Sequence, residues 1–321
     1  MLEVKNEIYK DVPKKFLEKF DRYEPVILDN TAISLYKLCP RKYQLRIAMG
    51  FDEIETKPYF VSGSSYHKYR DQFEINWKAN ADLSFIDRVD YSHIVAESEA
   101  IKLWNKITKD KEVPAPNTKW DWITRSRLTK SLSIAKEWIS VEKKNNNIIV
   151  IATEQPFIVE VIPNVFWGGK ADQVARWNNR LWGRDFKTSS KEGQYYKRTL
   201  KPNSQFIGYT VAEELLHGST VDGQLVEVLY NTKTAGPKIT PYPNSFNIYE
   251  KGIWKRDLAS WSDKIKKSRE LDLYEVSESH CSFCQFHMVC SNTSENGMMA
   301  TLESKFKLNP WDFQNIDGEE D

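Results

Sequence analysis

All four cysteines of this 321-residue chain fall into one metal-site pattern: Cys39 stands alone, and Cys281, Cys284 and Cys290 follow as C-x2-C-x5-C at the far end of the sequence. Four thiolates with none left over satisfy either a tetrahedral zinc ion or a four-cysteine iron–sulfur cluster. Either occupant ties two distant stretches of chain together around everything that lies between them. Disulfide pairing is the poorer reading, because C-x2-C beside a third cysteine is a weak disulfide framework.

The first residues, Met1-Leu2-Glu3-Val4-Lys5-Asn6-Glu7, lack the apolar stretch of a signal peptide, and no apolar run approaches membrane-spanning length. The expectation is a cytoplasmic protein without a membrane partner, where cysteines serve as metal ligands more often than as disulfides. The length allows one large domain or two small ones. A net charge of +1 excludes a global basic field, although a local groove can still be basic. The basic clusters are Lys14-Lys15, Arg41-Lys42, Arg125 and Arg127 with Lys130, and Lys197-Arg198 with Lys201; residues 317–321 form an acidic tail. The 11 Trp offer stacking platforms for bases, but most such rings belong to a core.

Patterning predicts a charged helical lead-in over residues 1–30. Asp29, Asn30 and Thr31 then cap a short helix through Cys39. A longer helix opens at Gly63-Ser64-Ser65-Tyr66-His67 and runs through Trp77, and residues 87–143 read as helical around a proline-containing break at 113–117. Ile148 to Ile162 is β-branched and aromatic, and predicts a strand or a bent pair. Phe166–Trp177 and Leu181–Lys187 are strands joined by Asn178-Asn179-Arg180, a hairpin turn. A basic polar loop, a helix over 204–216, a strand over 221–231 and a helix over 254–268 follow. The order predicts an α/β fold with a mixed sheet.

Asp172 lies in the second strand and Asp185 in the third, with Lys187 two residues on. Alternation puts Asp185 and Lys187 on one face, and the hairpin brings Asp172 close. Two carboxylates beside a lysine suit metal-assisted phosphodiester hydrolysis with Mg2+ or Mn2+, the ammonium offsetting charge in the transition state. A cross-strand ion pair on a solvated face is the bland alternative for the triplet alone.

The series Gly169-Lys170-Ala171-Asp172, Asp185-Phe186-Lys187-Thr188 and Gln205-Phe206-Ile207-Gly208-Tyr209 resembles the signature of the PD-(D/E)XK nuclease superfamily, in particular its RecB-type members. Gly63-x3-His67 is similar to that family's helical metal-ligand element. The cysteine layout with Cys39-Pro40-Arg41-Lys42-Tyr43 resembles the iron–sulfur branch, which includes the AddB nuclease domain and the CRISPR-associated iron–sulfur exonucleases. The likeness runs from about Thr31 to Cys290. It implies a restriction-endonuclease-like core with an N-terminal helical region. A single nuclease domain would span 31–295, with a helical insertion at about 80–145, an iron–sulfur segment from 39 and 281–290, and a tail over 296–321.

The resemblance further implies that His67, Asp172, Asp185 and the Phe186 carbonyl hold Mg2+ or Mn2+, with Lys187 as the catalytic lysine. Gln205 and Tyr209 would order the site and contact the DNA backbone. Glu154 stands where relatives often carry a glutamate, and is read as a second-layer residue or an exposed strand glutamate. Cys39, Cys281, Cys284 and Cys290 would hold a [4Fe–4S] cluster, zinc remaining the alternative. Arg41, Lys42, Lys197, Arg198 and Lys201 are candidate phosphate contacts, while His280 and His287 read as structural or surface residues. The implied function is a DNA exonuclease acting on single strands or ends in repair, recombination or phage-type processing. Any unwinding would come from a helicase or recombination partner, since no Walker A sequence is present. A DNA-binding or assembly subunit that keeps the fold without cutting is the alternative.

Overall fold

The computed structural model describes residues 27–54, 58–114, 116, 118, 120–145 and 147–312. In chain order the strands and helices begin with β1 (Ile27–Leu28), α1 (Asn30–Leu38), α2 (Pro40–Tyr43), β2 (Phe51–Glu53), α3 (Pro58–Ala79), α4 (Phe85–Thr108) and α5 (Arg125–Asn145). The middle of the chain supplies β3 (Ile148–Ile162), β4 (Val165–Trp177), β5 (Arg180–Ser189), α6 (Gln194–Leu200), α7 (Ser204–His217), β6 (Val221–Tyr230) and β7 (Lys238–Ser245). Then come α8 (Ile248–Leu271), α9 (His287–Cys290), α10 (Glu295–Lys305) and β8 (Phe306–Leu308). The described residues group into two compact units. A sheet unit takes 58–157 and 170–251, and a cysteine unit takes 27–54, 158–169 and 252–312.

In the sheet unit, Asn178 and Asn179 adopt φ of +50° and +64°, left-handed values that asparagine tolerates and that a two-residue hairpin turn requires. The turn sets β4 antiparallel to β5, with Gln173 opposite Arg184 and Trp177 opposite Arg180. α7 carries the chain from β5 to β6, which runs parallel to β5 with Phe186 opposite Glu227. Asn203 starts α7 by accepting the Gln205 and Phe206 N–H groups at 3.0 and 3.2 Å, and Gly218 at φ +58° ends it. β7 is antiparallel to β6, and β3 pairs with β4. The sheet is mixed, as the pattern of elements predicts.

The helices expected as an insertion at about 80–145 prove to be the packing partner of the sheet. Ala96 and Ala100 on α4 let its backbone approach α3, where Tyr69 and Phe73 are fully buried, and Trp104 and Leu132 close the same core against Phe186 and Leu229. Fully burying each such large side chain contributes roughly 1.5–3 kcal/mol, and this layer presses α3 against β5.

Two parts of the sheet unit depart from the sequence reading. The stretch expected as a polar loop after β5 contains α6; QYYKRTL has no amphipathic period, but Leu200 is buried and Tyr196 packs edge-on against Tyr230 at 5.7 Å. β7 was masked by Pro241 and Pro243, which sit opposite Glu227 and Leu225. Prolines are tolerated there because β7 ends the strand order among the described residues, so the missing N–H groups deprive no further described strand. β3 is continuous but bends at Glu154, whose φ is +47°.

In the cysteine unit, Asp29 caps α1, accepting the Thr31 and Ala32 N–H groups at 2.7 and 2.9 Å. Residues 27–28, expected at the end of a helical lead-in, form β1, parallel to β4 with Ile27 opposite Phe166; residues 1–26, with the Lys14-Lys15 cluster, and the acidic tail lie outside the described residues. Part of the stretch expected as a tail folds: α10 and β8 follow the cysteines, and β8 pairs antiparallel with β2. Leu302 and Phe306 are buried there with Leu45 and Phe51, and Phe306 stacks on Phe286 at 4.8 Å. Leu45 and Phe51 are some 250 residues away in sequence, so no local pattern announces those contacts.

Candidate active site

Phe186 organises the centre of the sheet unit. Its backbone N–H donates to Asp172 Oδ2 at 2.6 Å, which turns that carboxylate toward β5. Asp172 Oδ1 lies 3.4 Å from His67 Nδ1, and the His67 ring meets the Phe186 ring edge-on at 6.2 Å. Glu154 completes a cluster: one ligand atom each from His67, Glu154 and Asp172 all lie within 4.8 Å of one another. Glu154 reaches it from the bend in β3, a left-handed conformation that costs a non-glycine residue about 1–3 kcal/mol. Lys170, two residues before Asp172 on the same face of β4, pairs with Glu154 at 2.6 Å.

Asp185 stands beside this cluster, 1% exposed. Lys187 Nζ donates to Asp185 Oδ1 at 2.8 Å and lies 2.7 Å from Oδ2, and Gln205 Nε2 donates to Oδ1 at 3.2 Å. Among the described residues Oδ2 is buried and accepts no hydrogen bond, so its ion pair with Lys187 leaves acceptor capacity unused. Tyr209, one turn after Gln205, is buried and packs edge-on against Phe157 at 5.4 Å.

Burial and mutual charge decide how these groups hold protons. Burial works against the His67 imidazolium, but the Asp172 carboxylate outweighs it and lifts the pKa to about 9. Burial raises Glu154 to about 7, with the Asp172 charge adding to it and Lys170 opposing. Burial also raises Asp185 to about 6 despite Lys187. For Asp172 burial is overcome by His67 and Lys187, and its carboxyl stays below the usual range. Lys187 is shifted upward because Asp185 and Asp172 outweigh its desolvation, so it keeps its charge at neutral pH.

A sequence profile of the PD-(D/E)XK nuclease superfamily matches residues 30–291. The chain belongs to that superfamily. Among solved structures of similar shape is one named "Putative exonuclease" from Eubacterium rectale, at 10% identity and a TM-score of 0.48, covering 84% of this chain and 90% of the other. Another is a protein named SSO0001, at 14% identity and a TM-score of 0.34, covering 90% and 96%. No curated protein matches the chain.

PD-(D/E)XK nucleases use divalent metal ions, and the site here has the donors for one. The His67, Glu154 and Asp172 ligand atoms are already gathered, and the free acceptor capacity of Asp185 Oδ2 lies next to them. Relative to the sequence reading, Asp172, Asp185, Lys187, Gln205 and His67 come together. Glu154 stands beside His67 and Asp172 in the group that could hold an ion. Its approach to His67 joins β3 to α3, a tertiary event that no local spacing reports. The pairing of Lys170 with Glu154 had a readable half, since strand alternation puts Lys170 on the face of Asp172.

In the cysteine unit, Cys39, Cys281, Cys284 and Cys290 line one cavity of about 140 Å3, with Lys42 and the exposed Phe283 at its walls. The Ser277 N–H donates to Cys39 Sγ at 3.4 Å, and the Cys281 thiol donates to the Ser277 carbonyl at 3.5 Å. Burial raises the Cys290 thiol; Arg41 opposes this, and the other three cysteines add to it. Four thiols lining one cavity have the donor chemistry for a metal ion.

The candidate phosphate contacts differ in availability. Lys197 and Arg198 are exposed on α6. Lys201 pairs with Glu250 at 2.7 Å, so a phosphate would have to displace a carboxylate. Arg41 donates to Gln44 and to the Met298 sulfur. No described helix is long and apolar enough to cross a membrane.

Proposed function

We propose that the chain is a metal-dependent deoxyribonuclease of the RecB-like iron–sulfur branch, acting as an exonuclease on single-stranded DNA or DNA ends. The observation that carries this reading is the juxtaposition of the His67–Glu154–Asp172 cluster with the Asp185–Lys187–Gln205 set. A bound Mg2+ or Mn2+ would be held by His67, Glu154, Asp172 and Asp185, and supplies Lewis-acid neutralisation of charge on the phosphoryl oxygens. Lys187 is too firmly protonated to act as a base, so its ammonium orients the attacking water and faces the charge that develops on phosphorus. Gln205 holds the Asp185 carboxylate toward that ammonium. The water oxygen forms the new P–O bond and gives up a proton to solvent, while the ester P–O bond breaks and the departing alkoxide takes up a proton from solvent. The exposed Lys197 and Arg198 supply phosphate contacts.

The direct test is degradation of end-labelled linear and circular single-stranded DNA with Mn2+. Loss of linear DNA alone is expected. Cutting of circles replaces the exonuclease reading by an endonuclease one, and binding without any cutting favours an assembly subunit.

Metal binding should strengthen with pH. In the metal-free site His67 holds its proton below about pH 9, Glu154 below about 7 and Asp185 below about 6. A divalent ion must displace those protons, so Mn2+ affinity rises from pH 6 to pH 9. Calorimetric titration at pH 6, 7.5 and 9 checks this, and an affinity flat across that range refutes the ligand set.

The cysteine cavity is read as the seat of a [4Fe–4S] cluster. Protein purified without oxygen is expected to be brown, with iron and sulfide in equal amounts. A colourless protein carrying stoichiometric zinc replaces the cluster by a structural zinc ion.

A further inference from the structure

Glu227 is 1% exposed and lies opposite Phe186 across the parallel β5–β6 pair. It is the meeting point of a buried charge set whose cations Arg70, Lys143 and Arg184 balance the carboxylates Glu74, Glu142 and Glu227. Its Oε1 accepts the Tyr66 hydroxyl at 2.6 Å. Its Oε2 accepts Trp138 Nε1 at 2.9 Å and Arg184 Nη2 at 3.2 Å, with Arg70 Nη2 3.5 Å away.

The sequence positions of these partners matter. Tyr66 immediately precedes His67, and Arg184 immediately precedes Asp185. One buried carboxylate therefore fastens the neighbour of a candidate ligand on α3 and the neighbour of another on β5. Successive helical residues point about 100° apart, so Tyr66 faces the core while His67 faces the site. The Tyr66–Glu227 bond resists rotation of α3 about its axis, the motion that would carry His67 away from Asp172. On the strand side, Arg184 is held by Glu142 at 2.7 Å and by Gln173 at 3.0 Å as well, which restrains β5 against sliding. Phe186 fills the space between, with the Arg70 and Arg184 guanidinium groups over its ring at 4.5 and 5.5 Å.

We propose that Glu227 is a positioning residue for the metal site, holding His67 through Tyr66 and Asp185 through Arg184. The inference rests on the reading of His67 and Asp185 as ligands. Two substitutions, each removing one hydrogen bond to Glu227, separate it from a role in stability alone. Tyr66→Phe removes the hydroxyl bond on the ligand-bearing helix, and Trp138→Phe removes a bond to the same carboxylate from α5, which carries no candidate ligand.

Both variants and the wild type are titrated with Mn2+ by calorimetry, and their metal-free melting temperatures are measured. Outer partners of metal ligands typically contribute about 10–100-fold in affinity. Tyr66→Phe is therefore expected to weaken Mn2+ binding by about tenfold, while Trp138→Phe lowers the melting temperature and changes affinity less than about twofold. Unchanged binding in Tyr66→Phe, or equal weakening in Trp138→Phe, overturns the positioning role while the ligand set stands. A wild type that binds no Mn2+ overturns the ligand reading and the proposal with it.

Discussion

Lys187→Ala is expected to lower the DNA cleavage rate by about 10²–10³-fold, or roughly 3–4 kcal/mol in the barrier, with little change in DNA affinity. That magnitude is typical of removing one preorganised donor aimed at developing charge. Lys187 is suited to the role because Asp185 and Asp172 hold its ammonium charged and Asp185 holds it at 2.7–2.8 Å. The substitution also leaves the buried Asp185 carboxylate without its cation, which raises its affinity for any cation, proton or metal. Rates should therefore be compared at saturating Mn2+, alongside a separate DNA-binding titration. A variant that cuts at the wild-type rate removes Lys187 from the mechanism. One that loses DNA binding in parallel with rate makes it a substrate contact instead.

Arg184→Met is expected to destabilise the protein by about 3–5 kcal/mol, the usual cost of breaking a buried ion pair by removing one partner. For a domain of this size that corresponds to a fall of roughly 10 °C in melting temperature. Arg184 is 2% exposed. It donates to both Glu142 oxygens at 3.1 and 2.7 Å, to Gln173 and to Glu227. Methionine replaces its volume but none of these bonds, leaving two buried carboxylates without their arginine. Chemical denaturation with and without Mn2+ checks this. A loss below about 1 kcal/mol would show that water reaches the network, or that Arg70 compensates for the missing charge.

Much of the site's inventory was legible because its chemistry is carried by local spacing. Asp185 and Lys187 share a face by strand alternation, and Asn178-Asn179 dictates the hairpin that brings Asp172 alongside. Gln205 follows a capping asparagine that starts its helix. Glu154 was only half readable: its strand was predictable, but the left-handed bend that turns it into the ligand cluster is imposed by its surroundings. The helices over 85–145 were predictable as helices and opaque in purpose. Glu142 reads locally as one charge on a solvated face, whereas it is buried against Arg184 of β5.

The sequence by itself determined the strand hairpin, the alternation of carboxylate and lysine, the helix caps and the four-thiol pattern, because each depends on residues a few positions apart or on a residue type with one preferred chemistry. Only the tertiary structure decided that Leu302 and Phe306 join a core with Leu45 and Phe51, that two prolines occupy a terminal strand of the sheet, and that Glu227 gathers Tyr66, Trp138 and Arg184. These arrangements arise when desolvation forces distant polar and apolar groups to find partners. A partner's identity depends on which elements pack together, and a local stretch of sequence does not contain that information.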